Sequence, residues 1–329
     1  MDGLPIHEEA DVEFASINEN MHACGHDMHT VMLLGAAKLL KQHENEINGT
    51  VKFMFQPAEE IFSGAKDMIS AGILKEPDVD AALMVHVMAG IPMPAGTVMV
   101  CDGGGSAAAA DSFTITVHGK GCHGSIPESG ADPISAAAHI VTALQEIHAR
   151  ELGLSTESVL TIGTFHAGNA ANAIPETAEL SGTLRTYDEK VRAFIKKRLE
   201  EITGSVGMAF RCEAEGCYRG QGCPTLLNDA ALSASVTGYL RELFDSKSVF
   251  TMGQIAAMMG QKSLKAPGSE DFAFVSQEVP SVMAAVAAGQ PEMGYQYTQH
   301  HPKVKFDEKV IVPGSTIYAY TAMRWLEEH

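Results

Sequence analysis

Positive charge is what this 329-residue sequence has least of: 23 lysines and arginines face 41 aspartates and glutamates, a net charge of −18. So acidic a chain repels phosphate backbones and anionic headgroups, which argues against nucleic acid or an anionic membrane as partner. Long apolar runs are missing as well. No stretch approaches the ~18 uncharged apolar residues that a spanning helix needs, and no charged-then-apolar leader opens the chain, so the reading is a soluble, cytoplasmic protein. The six cysteines, Cys24, Cys101, Cys122, Cys212, Cys217 and Cys223, are too dilute for a disulfide scaffold and are expected to be thiols, mostly structural. The spacing of the last three fits no standard zinc pattern and reads as small buried residues. Internal repeats and low-complexity tails are absent.

What is present is an ordinary globular composition, 45% hydrophobic and 19% charged, in a chain long enough for two domains. Apolar spacing after Asp27, a candidate cap, predicts a helix that ends before Asn48-Gly49. Val51–Phe55 and Ala81–Val85 read as buried strands with a helix over Ser63–Ala71 between them, and His86 follows the second strand. Such alternation implies an α/β layer with a mostly parallel sheet and helices on both faces. Near Asp111 the pattern changes to strict alternation. A strand at Phe113–Val117, a helix from Pro133, strands at Val159–Phe165 and Ala178–Thr186, a helix over Asp188–Thr203 and a strand over Met208–Ala214 give the ferredoxin-like βαββαβ order. The division expected is therefore a catalytic domain, residues 1–110 and 223–329, interrupted by an inserted α+β satellite domain, residues 111–222. Gly220–Pro224 reads as a hinge linker, and helices are expected near Leu232–Leu243, Glu270–Val275 and Ser315–Glu328, with a strand at Ser281–Ala288.

The densest chemistry lies in Met21–Thr30, where one thiol and three imidazoles share ten residues. Gly25 would let Cys24 and His26 turn toward one centre. Two more sets complete a candidate site: the adjacent carboxylates Glu59 and Glu60 after the first strand, and His86 after the second. Ligands of open α/β sheets gather at the carboxyl ends of strands. His300-His301 offers a last imidazole, whereas His22 and His29 read as supporting or structural residues.

Met-His-Ala-Cys-Gly-His-Asp at 21–27, Gln-Pro-Ala-Glu-Glu at 56–60 and His86-Val87 resemble the amidohydrolase branch of the dinuclear aminoacylase/carboxypeptidase metallopeptidases. That branch includes hippurate hydrolases, N-acyl-amino-acid amidohydrolases and auxin-conjugate hydrolases. Gly119–Gly124, Gly168–Pro175, Gly182–Thr186, Gly268–Phe272 and His300–Pro302 match its later motifs, so the resemblance covers the chain in order. It implies metal ligation by Cys24, His26, Glu60, His86 and His300, with two divalent ions sharing these ligands. Mixed sulfur, nitrogen and oxygen donors suit zinc, manganese, nickel or cobalt over magnesium or calcium. It implies Glu59 as general base, passing a proton from water to the leaving amine. Arg185 becomes the clamp for a substrate carboxylate, helped by Asn172, which also reads as a turn residue before Ile174-Pro175. His123 becomes an oxyanion donor that reaches a neighbouring subunit, which implies a homodimer built through the satellite domain.

The expected activity is hydrolysis of N-acyl amino acids. Two rivals stand beside it. Met1–Pro5 resembles a stretch that is internal in the family, where Arg-Ala-Asp precedes it and that Asp orients the metal site. The resemblance therefore implies either a fragment or mis-started reading frame, or an N-terminally truncated form with exposed strand edges, and a catalytically impaired relative that keeps only dimerisation or ligand binding is the alternative. A cysteine hydrolase using Cys24 with His26 or His29 ranks last, because it leaves Glu59, Glu60, His86 and His300 unexplained.

Overall fold

A computed structural model describes residues 2–329, with the backbone alone at Gln221. In chain order the helices are α1 (His26–Gln42), α2 (Gly64–Ser70), α3 (Pro133–Glu146), α4 (Glu189–Ala209), α5 (Ala230–Leu243), α6 (Met252–Met258), α7 (Ala273–Glu278) and α8 (Ile311–Glu328). The strands are β1 (Ala82–Met88), β2 (Val98–Val100), β3 (Gly104–Ala107), β4 (Ala109–His118), β5 (Cys122–His123), β6 (Ser158–Ala167), β7 (Ala173–Ile174), β8 (Thr177–Thr186), β9 (Glu213–Cys223), β10 (Leu226–Asn228), β11 (Val249–Thr251) and β12 (Ser281–Ala287). They form two compact units. The first takes the residues up to Ser106, Leu226–Lys265 and Glu270–His329; the second takes Ala107–Thr225 and Ala266–Ser269. The return of four residues, 266–269, to the second unit has no signature in the sequence.

The first unit is built on a sheet of order β1-β12-β2-β11, in which β1/β12 and β2/β11 are parallel and β12/β2 antiparallel. Its strands read as near-continuous apolar runs because both faces are covered. Val85 and Val87 of β1, Val98 and Val100 of β2 and Val282 and Val286 of β12 pack with Met28 and Met32 of α1, Val236 of α5 and Ile317 of α8. The intervening Met99, Ala285 and Ala287 face the other way, against Ile255 of α6.

Three local expectations are corrected here. Residues 51–55 join no ladder among the described residues; they line a cavity of about 800 Å3 with Leu83, Val85 and Tyr318. Strand β1 runs on to Met88, so His86 lies within it instead of following it. Helix α1 starts one residue earlier than Asp27, and Gly25, not Asp27, occupies the N-cap. Asp27 sits in the first turn, with Oδ1 buried and without a hydrogen-bond partner.

The second unit is a four-stranded antiparallel sheet of order β6-β8-β4-β9, reached in the sequence β4-α3-β6-β8-α4-β9. Ile140 and Leu144 of α3 and Ile195 and Leu199 of α4 are fully buried against Phe113, Ile115, Leu180 and Leu184. Asp132 and Asp188 cap these helices by accepting backbone N–H groups, from Ile134 for α3 and from Lys190 and Val191 for α4. Because α4 continues to Ala209, the last strand starts at Glu213, five residues after the expected Met208. That strand extends through Cys223, with a register irregularity over 220–222, where a linker was expected. None of the six cysteines is in a disulfide, and Cys217 is exposed where a buried residue was expected. Among the described residues, no helix is long and apolar enough to cross a membrane.

Candidate metal centre

The loop before α1 bends at Gly25, where φ is 82° and an added Cβ would lie 2.5 Å from Cγ2 of Val87. Only glycine takes that conformation in that space without strain. The close approach lays Cys24 against β1, with Sγ 3.5 Å from Nε2 of His86. Nδ1 of His86 donates to the carbonyl of Val87 at 2.6 Å, so the Nε2 lone pair is the one facing the thiol. Nε2 of His29, half-buried, accepts the N–H of Val87 at 3.0 Å and fixes the end of β1. Burial lowers the pKa of His86 to about 4 and depresses His29 strongly, so both rings are neutral.

The second wall is the turn after residue 56. Ala58 and Phe62 adopt φ of 56° and 55°, which curls the backbone so that the N–H groups of Ala58, Glu59 and Glu60 converge on the carboxylate of Asp2. The same carboxylate lies 3.7 Å from Nδ1 of His26. Asp271, fully buried, accepts from the side chain of Gln56 and, at 3.1 Å, from the N–H of Ala65, so the turn is tied at both ends. The adjacent glutamates then diverge. Glu59 reaches toward Nε2 of His26 at 3.8 Å, and Glu60 toward Nε2 of His300 at 3.4 Å. His300 is placed by its N–H, which donates to the carbonyl of Ala23 at 2.9 Å.

Ligand atoms of Cys24, His26 and His86 lie within 4.8 Å of one another, as do those of Cys24, Glu60 and His300. Cys24 is common to both groups. Two further groups, Asp2–His26–Glu59 and Glu59–Glu270–Asp271, converge equally closely. The structure thus joins five residues singled out in the sequence, Cys24, His26, Glu60, His86 and His300, with Glu59 beside them.

The electrostatics show what this cluster requires. Burial raises the carboxyl of Glu59 from 4.5 to about 10, and the charges that act on it are the carboxylates of Glu270, Glu60, Asp271 and Asp2. Burial raises Glu270 to about 8 and Asp271 to about 6. Burial and the neighbouring Glu60 and Glu59 drive the Cys24 thiol far above its ordinary range. A buried set of sulfur, imidazole and carboxylate donors with an excess of negative charge fits divalent cations, and a donor shared by two groups fits two of them.

Three residues of this constellation escaped the sequence reading: Asp2, Glu270 and Asp271. Asp2 stood in an opening with no periodic pattern, and its role rests on the turn at 58–60, which no local spacing announces. Glu270 and Asp271 read as the start of a short helix; that helix begins at Ala273 and leaves both side chains to the site.

In the second unit, β5 and β7 form a two-residue ladder that sets His123 opposite Ala173, and the N–H of Gly124 donates to the carbonyl of Asn172 at 2.8 Å. This pairing brings the predicted His123 and Asn172 together, both exposed. Arg185 lies on β8, and its Nη1 donates to Oγ of Ser269 at 2.7 Å.

The profile of peptidase family M20/M25/M40 matches residues 1–324. The chain belongs to that family. Among M20 relatives it is 32% identical to N-acetylcysteine deacetylase of Bacillus subtilis, over 99% of this chain and 80% of that protein. It is 34% identical to IAA-amino acid hydrolase ILR1-like 2 of Arabidopsis thaliana, over 100% of this chain and 71% of the other. A solved Bacillus subtilis structure, described as a dinuclear metal binding peptidase of the M20 family, superposes with a TM-score of 0.79 at 30% identity, covering 100% of this chain and 80% of that one. The M20 chain is accordingly a hydrolase of the amidohydrolase kind.

Proposed function

We propose that the protein is a metal-dependent amidohydrolase that cleaves N-acyl amino acids to a carboxylate and a free amino acid. The observation that carries the reading is the pair of ligand groups sharing Cys24, with Glu59 beside them. The names of two relatives, a deacetylase of N-acetylcysteine and a hydrolase of an IAA-amino acid, describe the same kind of bond.

Cys24, His26, Glu60, His86 and His300 would hold two divalent ions. Bound there, such ions supply Lewis acidity toward an amide carbonyl and lower the pKa of water. The chain's own residues do the rest. Val87 and His29 keep the His86 lone pair facing Cys24. Asp2 fixes the turn from which Glu59 acts. Glu59, beside the ligand groups, accepts the proton of the attacking water and delivers it to the leaving nitrogen, the work of a general base and then a general acid. Arg185 pairs with the substrate carboxylate through its planar fork, with Asn172 assisting, and His123 donates to the oxygen that gains negative charge.

We also propose a homodimer formed through the second unit. Among the described residues β6 is an edge strand of its sheet, and it carries exposed Val159 and Phe165 at 58% and 41%, a surface that favours strand or helix partners.

Glu59→Gln tests the reading. With zinc or manganese supplied, we expect turnover of N-acetyl and hippuryl amino acids to fall by a factor of about 10²–10⁴ while bound metal persists. Retained turnover would remove Glu59 from the chemistry. Folded, metal-loaded wild-type protein with no turnover on any such substrate would favour the impaired, ligand-binding reading.

A further inference from the structure

His123 closes β5, and the chain turns back on it at once. The N–H of Ile126 donates to the carbonyl of His123 at 2.9 Å, and Gly124 is tied to Asn172, so residues 123–126 form a pinned turn. Inside it, the backbone N–H of Ser125 donates to Nδ1 of His123 at 3.2 Å, and the Ser125 hydroxyl lies 2.7 Å from the same nitrogen.

A backbone amide is a donor and nothing else. The nitrogen that receives it presents a lone pair and carries no proton. In the neutral ring the single proton therefore resides on Nε2. The hydroxyl, which donates or accepts as its neighbour demands, follows suit and donates to Nδ1. We infer that Ser125 locks His123 in the Nε2–H tautomer and is thus a positioning residue for the hydrolytic reaction.

The inference rests on the proposed role of His123 as an oxyanion donor and deepens it. An Nε2–H presents a donor to an oxygen gaining charge, whereas the other tautomer would present a lone pair and repel it. The lock also divides the labour. With Nδ1 occupied by Ser125 and Nε2 protonated, the neutral His123 ring has no free lone pair, so it cannot collect the proton of the attacking water. Proton transfer is left to Glu59, and His123 serves only as a hydrogen-bond donor.

The test uses the full-length zinc-loaded protein labelled with ¹⁵N at histidine, at ~pH 8.5, about two units above the ordinary histidine pKa of ~6.5. The His123 signals are assigned by their loss in His123→Gln. In the wild type we expect a protonated, pyrrole-type Nε2 and an unprotonated Nδ1, with no exchange between tautomers. Ser125→Pro removes both donors, and we expect a tautomer mixture and a kcat lowered about 3- to 10-fold, with KM within about 2-fold. Ser125→Ala keeps the amide, and we expect the tautomer retained and kcat between the two; it also keeps the test open if the proline variant fails to fold. A proton on Nδ1 in the wild type, or a tautomer and kcat unmoved by Ser125→Pro, would overturn the lock. His123→Gln separates this from the functional reading: unchanged kcat in that variant removes His123 from catalysis, while the tautomer assignment stands or falls on the spectrum alone.

Discussion

Each unit buries carboxylate, and the two answer it in opposite ways. In the second unit Asp111 is 2% exposed and is met by Arg192, which donates to both of its oxygens, from Nε at 2.6 Å and Nη2 at 2.8 Å, and by Lys196 at 3.1 Å. The fold supplies its own cations there, and the result is architecture. In the first unit Glu59, Glu270 and Asp271 converge, and the charges acting on Glu59 are further carboxylates. An excess of buried carboxylate of this kind marks a place where a cation from outside completes the structure. Burial of an acid is therefore uninformative by itself; the sign of its neighbours separates a structural ion pair from a site.

The most severe way to break the comparison is Asp111→Ala. It removes the buried anion that Arg192 and Lys196 share, leaving Glu189 at 3.0 Å to face Arg192, and we expect a loss of about 3–5 kcal/mol in urea unfolding. A loss below about 1 kcal/mol would mean that the second unit does not depend on its internal pair.

Next in size is the response of the first unit to pH and metal. Burial raises Glu270 to about 8 and Asp271 to about 6. Carboxyl groups raised in this way bind protons more tightly folded than unfolded, so they favour the fold of the metal-free protein fully below about pH 4. That contribution is lost as pH rises through about 6 for Asp271 and then about 8 for Glu270. Saturating zinc, at about a hundredfold excess over Kd, should add about 2.7 kcal/mol and flatten the slope. Denaturation midpoints from pH 5 to 8.5, with chelator or with zinc, measure both effects. A metal-free protein that gains stability as pH rises through this range would contradict the excess of buried carboxylate.

Much of this organisation was legible in the sequence, and the parts that were not share a cause. Period-two alternation at Phe113, Ile115 and Val117 revealed β4, since one periodicity decides one strand. Cys24, His26, Glu60 and His86, whose side chains the fold gathers in groups that share Cys24, could be singled out because residue type and position near element ends carry information together. Residues 51–55 look like a strand by composition, yet a strand requires a paired neighbour, and pairing is not written in a local run. Asp2 and Asp271 were missed as site residues for the same reason, since each acts on a turn far away in the chain, Asp2 on 58–60 and Asp271 on Gln56 and Ala65, while Glu270 meets Glu59 only in the folded chain.

Asp2→Ala sharpens the comparison at a smaller scale. It deletes the acceptor for the N–H groups of Ala58, Glu59 and Glu60 and the carboxylate beside His26. Loss of such a supporting carboxylate lowers metal affinity by a factor of about 10–100. Competition with a chromophoric zinc chelator reads the change directly, and unaltered affinity would show that Asp2 is a bystander.

The smallest effect belongs to Ser269 in the second unit, where no metal intervenes. Its hydroxyl accepts from Nη1 of Arg185 at 2.7 Å and donates to the carbonyl of Ala108 at 2.7 Å, so the guanidinium is held by a hydroxyl that is itself fixed to β4's approach. Ser269→Ala leaves the charge of Arg185 in place and removes only its anchor. We expect KM for an N-acetyl amino acid to rise about 3- to 5-fold with kcat within about 2-fold, the pattern of lost uniform binding. The corresponding amino acid amide, which lacks the carboxylate, should show no difference between variant and wild type. Equal damage to both substrates would show that Ser269 supports the fold of the second unit and not the clamp; a KM rise confined to the carboxylate substrate would tie the second unit's contribution to orientation, in contrast to the charge that the first unit gathers.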